Sequence, residues 1–67
     1  MKFNELDSVK TQKNFPEDGI KMGDIGKIVM AFSTPNEAYE VEFVNNDGST
    51  KAMLALGPED LYLYVPI

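Results

Sequence analysis

The chain has 67 residues, with eleven acidic residues against six lysines, and its formal net charge is −5. A chain of this length buries roughly 60% of the surface of its unfolded form, enough for one thin core, so we predict a single domain over residues 1–67. The sequence contains no cysteine and no histidine. This excludes disulfide bonds and the usual zinc and iron–sulfur ligand sets, and we expect no metal and no cofactor.

The excess of acidic residues bears on the kind of partner. A nucleic-acid binder holds phosphates with cationic side chains, and this chain has no arginine, so we expect no nucleic-acid partner. We expect no membrane association either, because no stretch approaches the roughly 20 apolar residues of a membrane span and the start lacks a signal-peptide pattern. The composition predicts a cytoplasmic protein whose partner is another protein with a basic surface. The alternative is that the charge only keeps the domain soluble.

The first predicted strand covers residues 7–11. Val9 should face the core, and Leu6 should add a core contact just before the strand. A long polar connection follows, in which Pro16 fixes its own φ and restrains the residue before it to extended geometry. We expect Phe15 and Ile20 to fold the two sides of this loop back onto the core.

The next two strands alternate between two faces. The second covers residues 26–32, and its inward set is Ile28, Met30 and Phe32. The third, Ala38–Val44, shows the clearest alternation, with Tyr39, Val41 and Phe43 inward. The glutamates Glu40 and Glu42 lie on the opposite face of this strand.

Turn signals define the rest of the chain. Residues 45–49 contain Asp-Gly, which favours a tight hairpin, so the third strand should pair with a fourth over Thr50–Leu56. In that strand the inward set is Ala52, Leu54 and Leu56. Pro58 favours a single 3₁₀ turn over residues 58–61. A last strand over residues 61–65 should place Leu61, Leu63 and Val65 on one face and Tyr62 and Tyr64 on the other.

This order of elements predicts an all-β fold, a small five-stranded SH3-like barrel with one 3₁₀ turn before the last strand. An OB-fold is the main alternative, but that fold usually has a helix between its third and fourth strands, where this chain has only a turn. The predicted core consists of Val9, Ile28, Met30, Tyr39, Val41, Phe43, Leu54 and Leu61.

Enzymatic function is not indicated by any residue constellation. Ser8, Ser33 and Ser49 have no histidine to activate them. Glu40 and Glu42 lie on one strand face with Cα atoms roughly 6.5–7 Å apart, but a thin barrel offers no deep cleft to raise the pKa of one carboxyl group as an acid catalyst requires. We therefore predict that the chain is not an enzyme.

A binding role fits the same residues better. Carboxylates on one strand face and beside the 3₁₀ turn would steer the protein to a basic surface, and tyrosine is enriched at binding hot spots. The predicted partner-binding residues are Glu40, Glu42, Glu59, Asp60, Tyr62 and Tyr64.

Several motifs resemble those of known families. Gly-Asp-x-Gly-x-Ile within residues 22–29 is similar to the start of the second strand in KOW-type barrels of ribosomal and transcription proteins. More broadly, E-L-D-S-V, F-P-E-D-G-I-K-M-G-D-I-G-K-I-V, Y-E-V-E-F, D-G and G-P-E-D-L resemble a family of small bacterial proteins of unknown function over residues 5–63. Members of that family resemble stand-alone SH3-like barrels.

This resemblance implies a function as well as a fold. Some members of the family lie beside genes that resemble toxins, which implies an antitoxin or immunity role. Two other functions stay open: a KOW-like nucleic-acid or ribosome-associated barrel, and an accessory or scaffold domain of a larger complex.

Overall fold

A computed structural model describes residues 1–65 of the chain. Five strands form one antiparallel sheet in the order β4-β3-β2-β1-β5. The strands are β1 (Ser8–Thr11), β2 (Ile25–Phe32), β3 (Ala38–Val44), β4 (Thr50–Leu56) and β5 (Leu61–Leu63). The all-β prediction with five strands is confirmed, and closure of the sheet into a barrel stays a prediction.

Two 3₁₀ turns connect the strands. The turn before the last strand, Pro58–Asp60, is confirmed. A second one, Pro16–Asp18, lies in the long connection between β1 and β2, where Pro16 supplies the fixed φ that favours the first position of such a turn. Phe15 and Ile20 pair across this loop. Ile20 is buried and Phe15 packs against the core, which confirms their predicted role.

The core lies on one side of the sheet and comprises Phe3, Val9, Ile20, Ile28, Tyr39, Val41, Phe43, Leu56 and Leu61. Six of the eight predicted core residues are among these, and Leu54 is half-buried against them. Phe3 was not predicted. It precedes the first strand and packs edge-to-face on Tyr39, with ring centroids 5.2 Å apart.

The prediction that Met30 and Phe32 face the core is wrong. The register of β2 against β3 shifts between Ile28, which pairs with Val41, and Met30, which pairs with Glu40. The extra residue is a β-bulge, and it reverses the face of every side chain that follows. Met30 and Phe32 are consequently 48% and 41% exposed.

The ends of the chain also differ from expectation. Leu6, which was predicted to add a core contact, is instead 74% exposed. The last strand ends at Leu63, which is 51% exposed, and Val65 is 69% exposed. Over residues 1–65, no helix is long and apolar enough to cross a membrane.

Candidate protein-binding face

The two glutamates of β3 lie at the centre of a continuous sheet surface. Alternation along β3 buries Tyr39, Val41 and Phe43 and turns Glu40 and Glu42 to the opposite side. Glu40 lies between Met30 and Ala55, and Glu42 lies between Lys27 and Met53. We call this surface of β2, β3 and β4 the outer face. It comprises Lys27, Met30, Phe32, Glu40, Glu42, Met53 and Ala55.

The carboxylates of the outer face have few partners inside the molecule. The Thr50 hydroxyl donates a hydrogen bond of 2.6 Å to Glu42 Oε2. The two ion pairs found in residues 1–65 join other residues, Lys13 to Asp60 and Lys51 to Asp24. Both glutamates are half-buried, and neither forms an ion pair within residues 1–65, although Lys27 is the cross-strand neighbour of Glu42.

Apolar side chains flank these carboxylates. Met30 lies beside Glu40 on β2 and Met53 lies beside Glu42 on β4; they are 48% and 47% exposed. Phe32, 41% exposed, extends the same surface. Methionine is unbranched and adapts its shape to what packs against it. The face therefore combines two carboxylates and one lysine, Lys27, with an adaptable apolar border.

Both carboxylate oxygens of Asp60 make contacts within the domain. Its Oδ2 accepts a hydrogen bond of 3.1 Å from the Gly57 N–H and caps the second 3₁₀ turn. Its Oδ1 lies 2.6 Å from Lys13 Nζ, and its backbone carbonyl accepts the Gln12 N–H. The hydrogen bond with Asp60, followed by the attraction of its charge, raises the pKa of Lys13. Glu59, next to it, is exposed and is the freer of the two carboxylates.

The two tyrosines lie at the other edge of the sheet. Tyr62 pairs with Lys10 of β1 and is 43% exposed. Tyr64 follows β5, its N–H donates to the Ser8 carbonyl, and the Lys10 ammonium lies 4.6 Å from its ring centroid. This cation–π contact occupies one side of the Tyr64 ring. Tyr62 is the more available anchor.

The predicted site residues do not form one cluster: Glu40 and Glu42 lie on β3, whereas Glu59 and Asp60 lie in the 3₁₀ turn before β5 and Tyr62 and Tyr64 lie in or just after β5. Strands β2 and β1 separate the glutamates of β3 from the tyrosines near β5. Between them lies a shallow depression of about 250 Å³, lined by Ser8, Ile25, Gly26, Lys27, Glu42 and Val44. Sequence reasoning missed the methionines. The predicted inward set of β4 already left Met53 on the outward side, but Met53 was not named as a site residue, and Met30 was placed in the core because the bulge is not visible in the sequence.

Four of the six lysines have a contact with another group within residues 1–65, while Lys27 lies on the outer face opposite Glu42 and Lys21 is exposed. Lys13 and Lys51 pair with acids on different elements. Lys10 lies over a tyrosine ring, and Lys2 Nζ is 3.4 Å from the Pro58 carbonyl. Within residues 1–65, no group of three acidic side chains converges in the manner of a metal site.

Comparison with known proteins gives one result. A family model described as Domain of unknown function (DUF4926) matches residues 5–63, from the turn before β1 to the end of β5. No curated protein and no solved structure matches the chain.

Proposed function

We propose that this protein, which belongs to the family described as Domain of unknown function (DUF4926), is a small protein-binding module that holds a basic partner protein on its outer face. The observation that supports this most strongly is the pair Glu40 and Glu42. They are half-buried, form no ion pair within residues 1–65 even though Lys27 lies opposite Glu42, and are bordered by exposed methionines.

The chemistry of this face defines what it would bind. A guanidinium group can donate two parallel hydrogen bonds to a carboxylate, which makes such pairs strong and specific. The aliphatic stem of an arginine or lysine packs on apolar surface while its charge stays at the carboxylate. Glu40 or Glu42 would hold the cation, and Met30 and Met53 would cover the stem. Tyr62 would add a contact where a partner extends across the sheet.

The proposed mechanism is occlusion, without a chemical reaction. The net charge of −5 attracts a basic protein from a distance and accelerates association. Once bound, the module covers the basic surface that its partner uses elsewhere. This is how an antitoxin or immunity protein would work, the role that the family resemblance in the sequence implies. We place the module in the cytoplasm, since its lack of cysteine suits a reducing compartment.

Nucleic-acid binding is the competing function. It would require a row of cations that tracks a phosphate backbone. Two of the six lysines pair with acids, and a third lies over Tyr64. The distribution of charge therefore favours a protein partner over RNA or DNA.

A display library tests the proposal. Phage that display the open reading frames of the source genome are selected on the wild-type protein, and the recovered clones are sequenced and expressed. We expect at least one basic protein whose binding is lost with Glu40→Lys combined with Glu42→Lys. The matched control is Glu17→Lys combined with Asp18→Lys, which makes the same change of net charge at exposed residues of the first 3₁₀ turn.

Two results would overturn the proposal. One is equal loss of binding in the control, which would show that net charge alone determines association. The other is micromolar binding of mixed RNA or DNA at about 50 mM salt that weakens steeply as salt is added, since this is the signature of phosphate neutralisation.

A further inference from the structure

Leu6 occupies a backbone conformation that side chains other than glycine rarely adopt. Its φ is +73°. It is the third residue of a four-residue turn that is closed by two hydrogen bonds: the Asp7 N–H donates to the Asn4 carbonyl at 3.1 Å, and the Asn4 N–H donates to Asp7 Oδ2 at 2.9 Å. Left-handed backbone brings the Cβ of an L-residue too close to the following carbonyl group. The turn holds Leu6 in a strained position.

The same chain builds this turn a second time without strain. The Asp24 N–H donates to the Lys21 carbonyl at 2.9 Å, and the Lys21 N–H donates to Asp24 Oδ2 at 2.9 Å. The third residue is Gly23, with φ of +90°. Glycine adopts this conformation at no steric cost. The comparison shows that this hydrogen-bond pattern is compatible with glycine where the chain instead has Leu6.

Burial of the Leu6 side chain within residues 1–65 does not offset its backbone strain. Leu6 is 74% exposed, the most exposed of the large apolar side chains of residues 1–65. An exposed leucine contributes little burial energy to the fold. The side chain is thus unfavourable in two respects, backbone strain and exposure to water, and strained residues of this kind concentrate at functional sites.

Two backbone hydrogen bonds fix the turn to strand β2. The Leu6 N–H donates to the Ile28 carbonyl at 2.7 Å, and the Ile28 N–H donates to the Asp7 carbonyl at 2.9 Å. This contact lies immediately before the bulge that turns Met30 onto the outer face. Leu6 is flanked by two acids: Glu5 is exposed, and the half-buried Asp7 carboxylate also accepts the Asn4 N–H that closes the turn.

We propose that Leu6 is an apolar anchor that enters a pocket on the same basic protein bound by the outer face. This inference rests on the proposed function and adds a second contact to it. The partner is a folded protein with an apolar pocket bordered by lysine or arginine, because the rim must complement Glu5 and Asp7. A preformed turn that presents one apolar side chain loses little conformational freedom on binding.

Two substitutions at position 6 test the anchor. Leu6→Gly and Leu6→Asn both introduce residues that tolerate positive φ. Leu6→Gly should raise the melting temperature by roughly 4–8 °C and weaken binding of the purified library-selected protein at least about tenfold, as loss of a hot-spot side chain does. Leu6→Asn should also weaken binding. The control is Met22→Asn, which removes a 62% exposed side chain from the second turn and should change neither property.

The outcomes separate this inference from the proposed function. Unchanged binding by Leu6→Gly, while the Glu40 and Glu42 charge reversal still abolishes binding, would overturn the anchor and leave the outer face intact. Loss of binding in Leu6→Gly with no effect of the charge reversal would overturn the outer face instead. A melting temperature that does not rise in Leu6→Gly would overturn the strain argument on which the anchor depends.

Discussion

The hydroxyl group of Tyr39 donates a hydrogen bond to the carboxylate of Glu37, although the tyrosine side chain is fully buried. The same hydroxyl accepts the Phe3 N–H at 3.1 Å, and Glu37 Oε2 accepts the Lys2 N–H at 3.1 Å. These bonds attach the N-terminal segment to the start of β3. The bond from Tyr39 is the main reason that the pKa of Glu37 is lowered, while burial, followed by this bond, raises the pKa of Tyr39.

This network predicts a pH dependence of stability. A carboxyl group whose pKa is lower in the folded state stabilises the fold above its unfolded pKa, and that stabilisation is lost as the pH falls through the folded pKa. Between about pH 5 and about pH 3, the melting temperature should fall further in the wild type than in Glu37→Gln. Asp47, whose pKa is lowered chiefly by the side-chain hydrogen bond from Ser49, affects both proteins equally. Parallel curves would contradict the role of Glu37.

Removal of the Tyr39 hydroxyl group should lower the free energy of unfolding. Tyr39→Phe keeps the ring in the core but leaves the buried Phe3 N–H without its acceptor. An unsatisfied buried donor costs about 1–3 kcal/mol. Urea denaturation should show this loss, with Tyr62→Phe, a change at an exposed tyrosine, as the control. Equal stability of the two variants would mean that water replaces the hydroxyl group.

Gly26 should not tolerate a side chain. An added Cβ would lie 2.6 Å from Val41 Cγ1 and 2.9 Å from Phe43 Cε1. Both neighbours are fully packed in the core, so Gly26→Ala should lower the free energy of unfolding by about 1–3 kcal/mol through overpacking. Ser33→Ala, at an exposed loop residue, should stay within about 0.5 kcal/mol of the wild type. A neutral Gly26→Ala variant would show that β3 can move away from β2 at no cost.

The Asp60 carboxylate should stabilise the fold through its cap more than through its charge. Asp60→Ala removes the acceptor of the Gly57 N–H and should cost about 1–2 kcal/mol. Asp60→Asn keeps that acceptor and should recover most of the loss, because its ion pair with the exposed Lys13 contributes little. Chemical denaturation of both variants distinguishes the two contributions. An asparagine variant as unstable as the alanine variant would assign the effect to charge.

The bulge in β2 can be tested by a pair of lysine substitutions. Met30→Lys changes an exposed side chain and should stay within about 0.5 kcal/mol of the wild type. Ile28→Lys places a charge in the core and should unfold the domain. Circular dichroism and thermal melting report both results. Unfolding by Met30→Lys would place that side chain in the core and remove the bulge.

Local patterns in the sequence were sufficient to predict most of the fold. The bounds of β3 and β4 follow from alternation and from the Asp-Gly turn between them, because each side chain then has only one favourable face. Alternation along β2 could not reveal the bulge after Ile28. A bulge is defined by how one strand pairs with its neighbour, and that pairing is not visible in the sequence of the strand alone. Phe3 was missed for a similar reason: a single apolar residue outside a strand shows no period, and only the position of Tyr39 gives it a partner.

The candidate site was less predictable than the fold. Glu40 and Glu42 could be placed on one face from their spacing alone. Their apolar border could not, because Met30 reaches that face only through the bulge. The strain at Leu6 could not be predicted either, since the sequence N-E-L-D shows no glycine to mark a left-handed residue.

The most direct test of the proposed function is a calorimetric titration of the purified library-selected protein with three forms of the module. The forms are the wild type, the Glu40→Lys and Glu42→Lys double variant, and the Glu17→Lys and Asp18→Lys control. We predict that the first double variant weakens binding at least about a hundredfold, because truncating or reversing buried charge contacts costs roughly 2–5 kcal/mol, whereas the control loses less than about tenfold. Equal affinities of the two double variants would contradict the assignment of the outer face as the binding surface.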